Sequence, residues 1–389
     1  MNVDIAKRLQ GTTEYFFSQK MEELSWLREQ GVDVINLGIG NPDLPPPATM
    51  QHELTAAAAQ PNVHGYQASR GNRILVDSIA RWYKQHFGVD LNTPSEVLPL
   101  MGSKEGILHL SMALLGDGDV VLVPNPGYPV YAIAARLAGA QVVEYDMTNE
   151  QGFCPNLKAL DPNLLKRVKV IWVNYPHMPT GAVGSVELFR ELVAFASVHS
   201  IVICSDNAYS FILNPNPISI LSVEGAKEVA VELNSLSKSY NMAGWRVGML
   251  VGNPQIIGLV ERFRSNMESG MPLPVQLAAA AALGMGNEWF VSLNQQYKER
   301  KQLAIRLARE LDCEVVASHA GLFVWCRIPP YVADSESFSA EILRQTGIFL
   351  APGSVFGSNG ERFLRISLCA PIETFASAIR RSWAFEIIR

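Results

Sequence analysis

The sequence predicts an α/β protein in which a large unit with a mostly parallel central sheet precedes a smaller α+β unit. Three observations lead there. From about Val97 onward, short runs rich in β-branched residues alternate with longer helical stretches, the pattern of strand–helix–strand units. Several of those runs are apolar at nearly every position, as strands covered on both faces are. Beyond residue 284 the pattern changes to a long charged helix followed by short strands.

Taken in order, residues 1–45 form an N-terminal arm that ends in the Pro-rich hinge Pro42–Pro47 and is expected to join the small unit. Residues 46–283 form the large unit. A helical run covers Ile107–Leu115, and strands are expected at Val120–Val123, Val168–Val173, Ile201–Cys204, Val229–Leu233 and Val247–Val251. Each strand is followed by Gly, Pro or Asn punctuation. Residues 284–389 form the small unit. It holds an amphipathic helix over roughly Glu288–Leu311, strands around Val315, Leu322–Cys326 and Phe363–Leu368, and a helix over Ser335–Thr346.

At 389 residues the chain has room for two such units. A hydrophobic share of 48% with 18% charged residues suits a packed protein and not a disordered one. Lys and Arg number 32 against 37 Asp and Glu, a formal charge of −5. No basic excess exists to hold a nucleic-acid backbone or an anionic membrane. The start, Met1–Leu9, carries Asp4, Lys7 and Arg8 and no apolar core, unlike a secretory signal. The uncharged stretch Ser269–Asn287 is broken by Pro272, Pro274, Gln276, Gly284 and Gly286, which does not suit a lipid-facing helix. Cys154, Cys204, Cys313, Cys326 and Cys369 are scattered, odd in number and form no CxxC pair. They read as reduced thiols, not a disulfide frame or a zinc site. A cytoplasmic protein without nucleic-acid or membrane partners is expected.

The most informative segment is Ser235-Leu236-Ser237-Lys238-Ser239-Tyr240, continuing to Gly244-Trp245-Arg246-Val247-Gly248. It offers an amine nucleophile, hydroxyl donors and a fixed cation. Those groups suit a phosphate-bearing aldehyde: the lysine forms a Schiff base while hydroxyls and guanidinium hold the phosphate. The alternative is a solvated loop lysine. Upstream, the apolar run Ile203-Cys204 ends in Ser205-Asp206-Asn207-Ala208-Tyr209. Ligands of doubly wound sheets gather beyond the carboxyl ends of strands, where Asp206 falls. An aspartate there pairs with a protonated pyridine nitrogen, and Tyr209 is placed to donate to a ring hydroxyl. A helix N-cap is the competing reading of Asp206.

Two turns add to this set. Met101-Gly102-Ser103-Lys104-Glu105-Gly106 opens a helix and can form an anion cradle of backbone N–H groups beside a serine hydroxyl. Pro124-Asn125-Pro126-Gly127-Tyr128-Pro129 presents an aromatic ring on a stiff turn, able to stack on a flat cofactor or simply to fill space.

These segments, in this order, resemble the class I/II aminotransferases of the fold-type-I pyridoxal-phosphate enzymes, in their aspartate/LL-diaminopimelate aminotransferase-like branch. Asn36-Leu37-Gly38-Ile39-Gly40-Asn41-Pro42-Asp43, Gly65-Tyr66 with Gly71, Pro179-Thr180-Gly181 and Phe363-Leu364-Arg365-Ile366-Ser367 extend the likeness from about Tyr15 to the end. The resemblance implies a pyridoxal 5′-phosphate cofactor, with Lys238 forming the internal aldimine and shuttling the α-proton. It implies that Asp206 pairs with the ring nitrogen, Tyr209 bonds the 3′-oxygen and Tyr128 stacks on the ring. Ser103, the Lys104 backbone, Ser235, Ser237 and Arg246 would hold the phosphate. Tyr66 resembles the tyrosine that reaches the neighbouring subunit's phosphate, which implies a homodimer with shared active sites. Arg365 would clamp the substrate α-carboxylate, helped by the backbone near Gly38.

Arg365 also passes a test of pattern. In a strand, Phe363, Arg365 and Ser367 share one face while Leu364, Ile366 and Leu368 share the other. The aliphatic set faces the core and leaves the guanidinium for a cleft. One position departs from the family. Asn174-Tyr175-Pro176-His177-Met178-Pro179-Thr180-Gly181 has methionine where the family normally has an asparagine that donates to the 3′-oxygen. A thioether donates nothing, so a raised aldimine pKa is expected, and Asn174 is not expected to compensate.

The remaining candidates read as structural. His64, His109, His177 and His319 have no metal-ligand spacing. Glu22-Glu23 and Arg380-Arg381 read as solvated helix faces. Tyr15-Phe16-Phe17 is expected to pack as core, the alternative being a lining for the substrate mouth. The leading function is a ping-pong transfer of an amino group from an L-amino acid to a 2-oxo acid. A carbon–sulfur β-lyase on the same cofactor, or a silent binding protein retaining the fold, are the alternatives; protonation against elimination is decided by the pocket, not the fold.

Overall fold

A computed structural model describes residues 3–316 and 319–386. The outer ends of the arm and of the small unit, and residues 317–318, lie outside them. The strands are β1 (Ile35–Asn36), β2 (Val97–Leu100), β3 (Val120–Asn125), β4 (Gln141–Asp146), β5 (Val168–Asn174) and β6 (Val202–Asp206), then β7 (Ala230–Ser235) and β8 (Gly248–Gly252). The later part holds β9 (Glu314–Val316), β10 (Phe323–Arg327), β11 (Ile348–Phe349), β12 (Ala351–Pro352) and β13 (Phe363–Ser367).

Seven strands form one sheet in the order β2-β8-β7-β6-β5-β3-β4. The pairs from β4 through β7 are all parallel, while β8 runs antiparallel to both β7 and β2. The chemistry of the runs explains this. Every residue of β3 and β7 is buried, because helices cover both faces of a parallel sheet. The strand order leaves the carboxyl ends of β5, β6 and β7 side by side, at Asn174, Asp206 and Ser235. A second sheet of four antiparallel strands runs β12-β13-β10-β9, and β1 pairs in parallel with β11.

Helix ends follow their sequence signals. Asn72 caps the helix Arg73–Phe87 through a bond from the Ile74 N–H, and Gly88 ends it in the left-handed region. Asp334 and Gly347 do the same for Ser335–Thr346. None of the described helices is long and apolar enough to cross a membrane.

The hinge is anchored by charge. Arg300, on the helix Asn287–Glu310, places Nη1 2.6 Å and Nη2 2.9 Å from the two Asp43 carboxylate oxygens and donates to the Leu368 carbonyl at 3.1 Å. The Arg300 side chain is 5% exposed, so losing its counter-ion strands a charge out of water. Arg381 departs from the solvated role expected of it: it pairs with the Asp33 carboxylate and carbonyl, tying the C-terminal helix to the arm. We predict that Asp43→Ala costs about 2–4 kcal/mol of stability, read as a lower urea midpoint, with Asp43→Asn recovering part of it.

Candidate active site

The carboxyl edge of the large sheet faces the arm and the four-stranded sheet across a cavity. Its wall includes Ser103, Lys104, Tyr128, Asp206, Lys238 and Arg365. Tyr209 joins them, so most of the polar set expected from sequence converges. Lys238 lies on the short helix Leu236–Ser239 that follows β7 and donates from Nζ to the Gly40 carbonyl at 2.7 Å. Burial lowers its pKa; Arg365 and Arg246 add to the effect, while Cys369 and Asp206 oppose it.

Asp206 ends β6 and is buried. Burial lifts its pKa to about 6 against the pull of a hydrogen bond from Tyr131, one from the Ala208 N–H, and the Lys238 charge. The Tyr131 hydroxyl donates to Oδ2 at 2.8 Å. Burial holds the Tyr209 and Tyr128 hydroxyls protonated far above their ordinary range.

The anion cradle is built by close approach. Gly102, at φ +90°, precedes the helix Ser103–Leu114, and a Cβ there would collide with Arg246 Nη2. A Cβ at Gly248 would stand 2.7 Å from the Ser103 nitrogen. Arg246 itself adopts φ +55° and donates from Nη1 to the Ala243 carbonyl at 2.9 Å. Ser235 and Ser237 lie beside this cradle but not in the cavity wall. The Ser235 hydroxyl accepts from the Ser237 N–H at 3.1 Å and donates to the Val247 carbonyl at 3.3 Å. Tyr66 is 97% exposed and outside the cavity of its own chain.

Arg365 bears out the face pattern of β13. Leu364, Ile366 and Leu368 are fully buried, and the guanidinium enters the cavity. Nη2 donates to the Gly38 carbonyl at 2.6 Å, and Nη1 meets the Met178 sulfur at 3.3 Å. Nε has no hydrogen-bond partner among the described residues. The rings of Phe323, Phe356 and Phe17 surround the charge at 4.0, 4.5 and 5.2 Å. Burial brings its pKa down to about 10. Gly38 and Gly40 allow this packing, since a Cβ at either would strike Phe349 or Phe323.

Asn174 also lines the cavity, and two of its hydrogen bonds stay within the strand ends. Its Nδ2 donates to the Asp206 carbonyl and its Oδ1 accepts from the Met178 N–H, both at 2.7 Å. His177 is buried, with its pKa lowered to about 3 by burial, and its Nδ1 meets Thr180 Oγ1 at 2.8 Å. Glu105, His109 and Glu268 cluster around Arg264, whose guanidinium pairs with both carboxylates.

One expectation changes. Tyr15 and Phe17 line the cavity mouth instead of packing only as core, because Phe17 covers Arg365 and Tyr15 carries Lys104 Nζ 4.5 Å from its ring centre. Tyr131, Phe323 and Phe356 also reach the cavity without having been anticipated. The spacing of Tyr128 and Tyr131 at a helix start was the available signal for the first; nothing local marked the other two.

An orphaned buried guanidinium nitrogen, a cradle that any Cβ would fill, and a buried carboxylate on the cavity floor fit a flat cationic ring bearing a phosphate, together with an amino-acid carboxylate. Residues 32–381 match the family model of aminotransferase class I and II. An LL-diaminopimelate aminotransferase of Dehalococcoides mccartyi is 42% identical over 97% of this chain and 97% of its own. Another from Aquifex aeolicus is 38% identical over 97% and 98%. The substrate-bound structure of BacF from Bacillus subtilis superposes with a TM-score of 0.94 at 35% identity, over 100% of both chains. A probable N-succinyldiaminopimelate aminotransferase from Thermus thermophilus superposes at 0.88 and 34% identity, over 94% of this chain and 99% of that one. The chain therefore belongs to the class I and II aminotransferases, pyridoxal-phosphate-dependent transferases of fold type I.

Proposed function

We propose that Lys238 is the catalytic residue of this aminotransferase, and that both amino acid and 2-oxo acid use the Arg365 clamp in turn. The observation that carries the reading is one cavity wall shared by a lysine amine of lowered pKa, a buried carboxylate and a buried guanidinium with a spare donor. Bound there, pyridoxal phosphate supplies an electron sink for the bonds at the substrate α-carbon.

The chain's own groups do the rest. Asp206 would hold the ring nitrogen, Tyr128 would cover the ring face and Tyr209 would donate to the ring oxygen. Ser103, the Lys104 backbone and Arg246 would hold the phosphate, with Ser235 and Ser237 ordering the turn beside them. Arg365 would anchor the α-carboxylate through the unpartnered side of its guanidinium, with Nη2 held by the Gly38 carbonyl. The surrounding phenyl rings exclude water, which strengthens the charge pairing. Lys238 Nζ, less basic than a free lysine, takes and returns the α-proton.

A homodimer is supported by Tyr66, exposed and remote from its own cavity, as a residue serving a second copy must be. An arm 1–45, a large domain 46–283 and a small domain 284–389 are supported by the separate sheets and by the β1–β11 pairing. Five unpaired cysteines favour the cytoplasm. The names of the relatives make diaminopimelate-type amino acids the first donors to try.

Mixed with a productive amino donor and no acceptor, the holoenzyme is expected to release one 2-oxo acid per site and stop; pyruvate and thiol formed continuously from cystathionine would contradict this reading. Arg365→Ala is expected to lower kcat/KM by about 10²–10³-fold through the lost carboxylate anchor. Met178→Asn adds a donor toward the ring oxygen and should lower the pH midpoint of the visible absorbance by about one unit. An equal or higher midpoint in the variant would refute that expectation.

A further inference from the structure

Asp206 carries its charge in a place that disfavours charge. It is buried, and it faces Tyr131, Tyr128, Tyr209 and Lys238 from the elements packed around it. Only Lys238 among these is a cation, and its amine is committed to the Gly40 carbonyl. Neutral donors therefore fix the carboxylate. Oδ2 accepts from the Tyr131 hydroxyl at 2.8 Å and Oδ1 from the Ala208 N–H at 3.3 Å. A carboxylate bonded at both oxygens cannot turn about its last side-chain bond without losing a donor.

Tyr131 is itself rigid. It lies in the first turn of the helix Val130–Leu137, directly beyond the Tyr128 turn. Its ring stacks on Trp172, with centres 4.7 Å apart and planes within 9°. Its edge meets Tyr128 at 5.6 Å and 87°. Phenylalanine would satisfy all of this ring packing. Among the described residues the hydroxyl bonds only the carboxylate, and burial beside Asp206 keeps that phenol protonated and therefore a donor.

We propose that Tyr131 is a positioning residue: its hydroxyl holds the Asp206 carboxylate ionised and aimed at the cofactor ring nitrogen, while its ring braces Tyr128. The proposal rests on the reading of Asp206 as the ring-nitrogen partner. The effect of the Tyr131 hydroxyl passes through Asp206, its hydrogen-bond partner.

The test compares equilibrium binding to the apoprotein of pyridoxal phosphate and of its analogue with the ring nitrogen replaced by C–H. Wild type should bind the nitrogen-bearing form more tightly. Tyr131→Phe should lose about tenfold in affinity for that form and less than twofold for the analogue. Tyr131→His, which retains a ring and an N–H donor, should recover most of the loss. Equal losses of both ligands in Tyr131→Phe, or no recovery in Tyr131→His, would overturn the proposal and leave a packing role. A wild type that binds both ligands equally would instead overturn the reading of Asp206 itself.

Discussion

The structure depends on keeping three ionisable side chains out of water without letting them neutralise one another. Lys238 donates to a backbone carbonyl, Arg365 to another, and Asp206 accepts from a phenol and a backbone amide. A direct Lys238–Asp206 or Arg365–Asp206 pair would be more comfortable in isolation, but it would use up the groups that a ligand needs. Neutral partners hold each charge in position and leave its demand unmet. That costs stability, because a buried ion without a counter-ion loses its hydration.

The fold meets this demand by geometry. Parallel strands deliver Asn174, Asp206 and Ser235 to one edge, and the turn after β7 carries Lys238 back over it. The four-stranded sheet supplies Arg365 from the opposite side through β13. The segment from Gly38 to Asp43 links the two. Its carbonyls take Lys238 and Arg365, its glycines admit Phe349 and Phe323, and its Asp43 is clasped by Arg300. A short stretch of chain thus contacts the amine, the guanidinium and the long helix of the small unit. Met178 sets a soft sulfur, which donates no hydrogen bond, 3.3 Å from Arg365 Nη1.

Much of this was legible in the sequence where the signal was local. Runs such as Val168–Val173 and Val229–Leu233 announced β5 and β7 because all their positions but Lys169 and Glu232 are apolar, as on a sheet covered twice. β4 did not announce itself, since at the sheet edge it alternates with Gln141, Glu144 and Asp146. β1, β11 and β12 are two residues each and carry no periodicity. The arm helix Phe16–Glu29 buries only Leu24, so its apolar stripe is too thin to read. In the site, Lys238, Asp206 and Arg365 were marked by their neighbours in sequence. Tyr131 carries only its spacing from Tyr128, and Phe323 and Phe356 act through tertiary placement and carry no local mark.

The central claim is that the Lys238 amine bonds covalently to the cofactor aldehyde. Reduction of the holoenzyme with borohydride, followed by peptide mass spectrometry, tests it most directly. The account predicts a phosphopyridoxyl mass on the peptide containing Lys238, with Lys104 unmodified. Label on another lysine, or cofactor released unbound by denaturation after reduction, would contradict it.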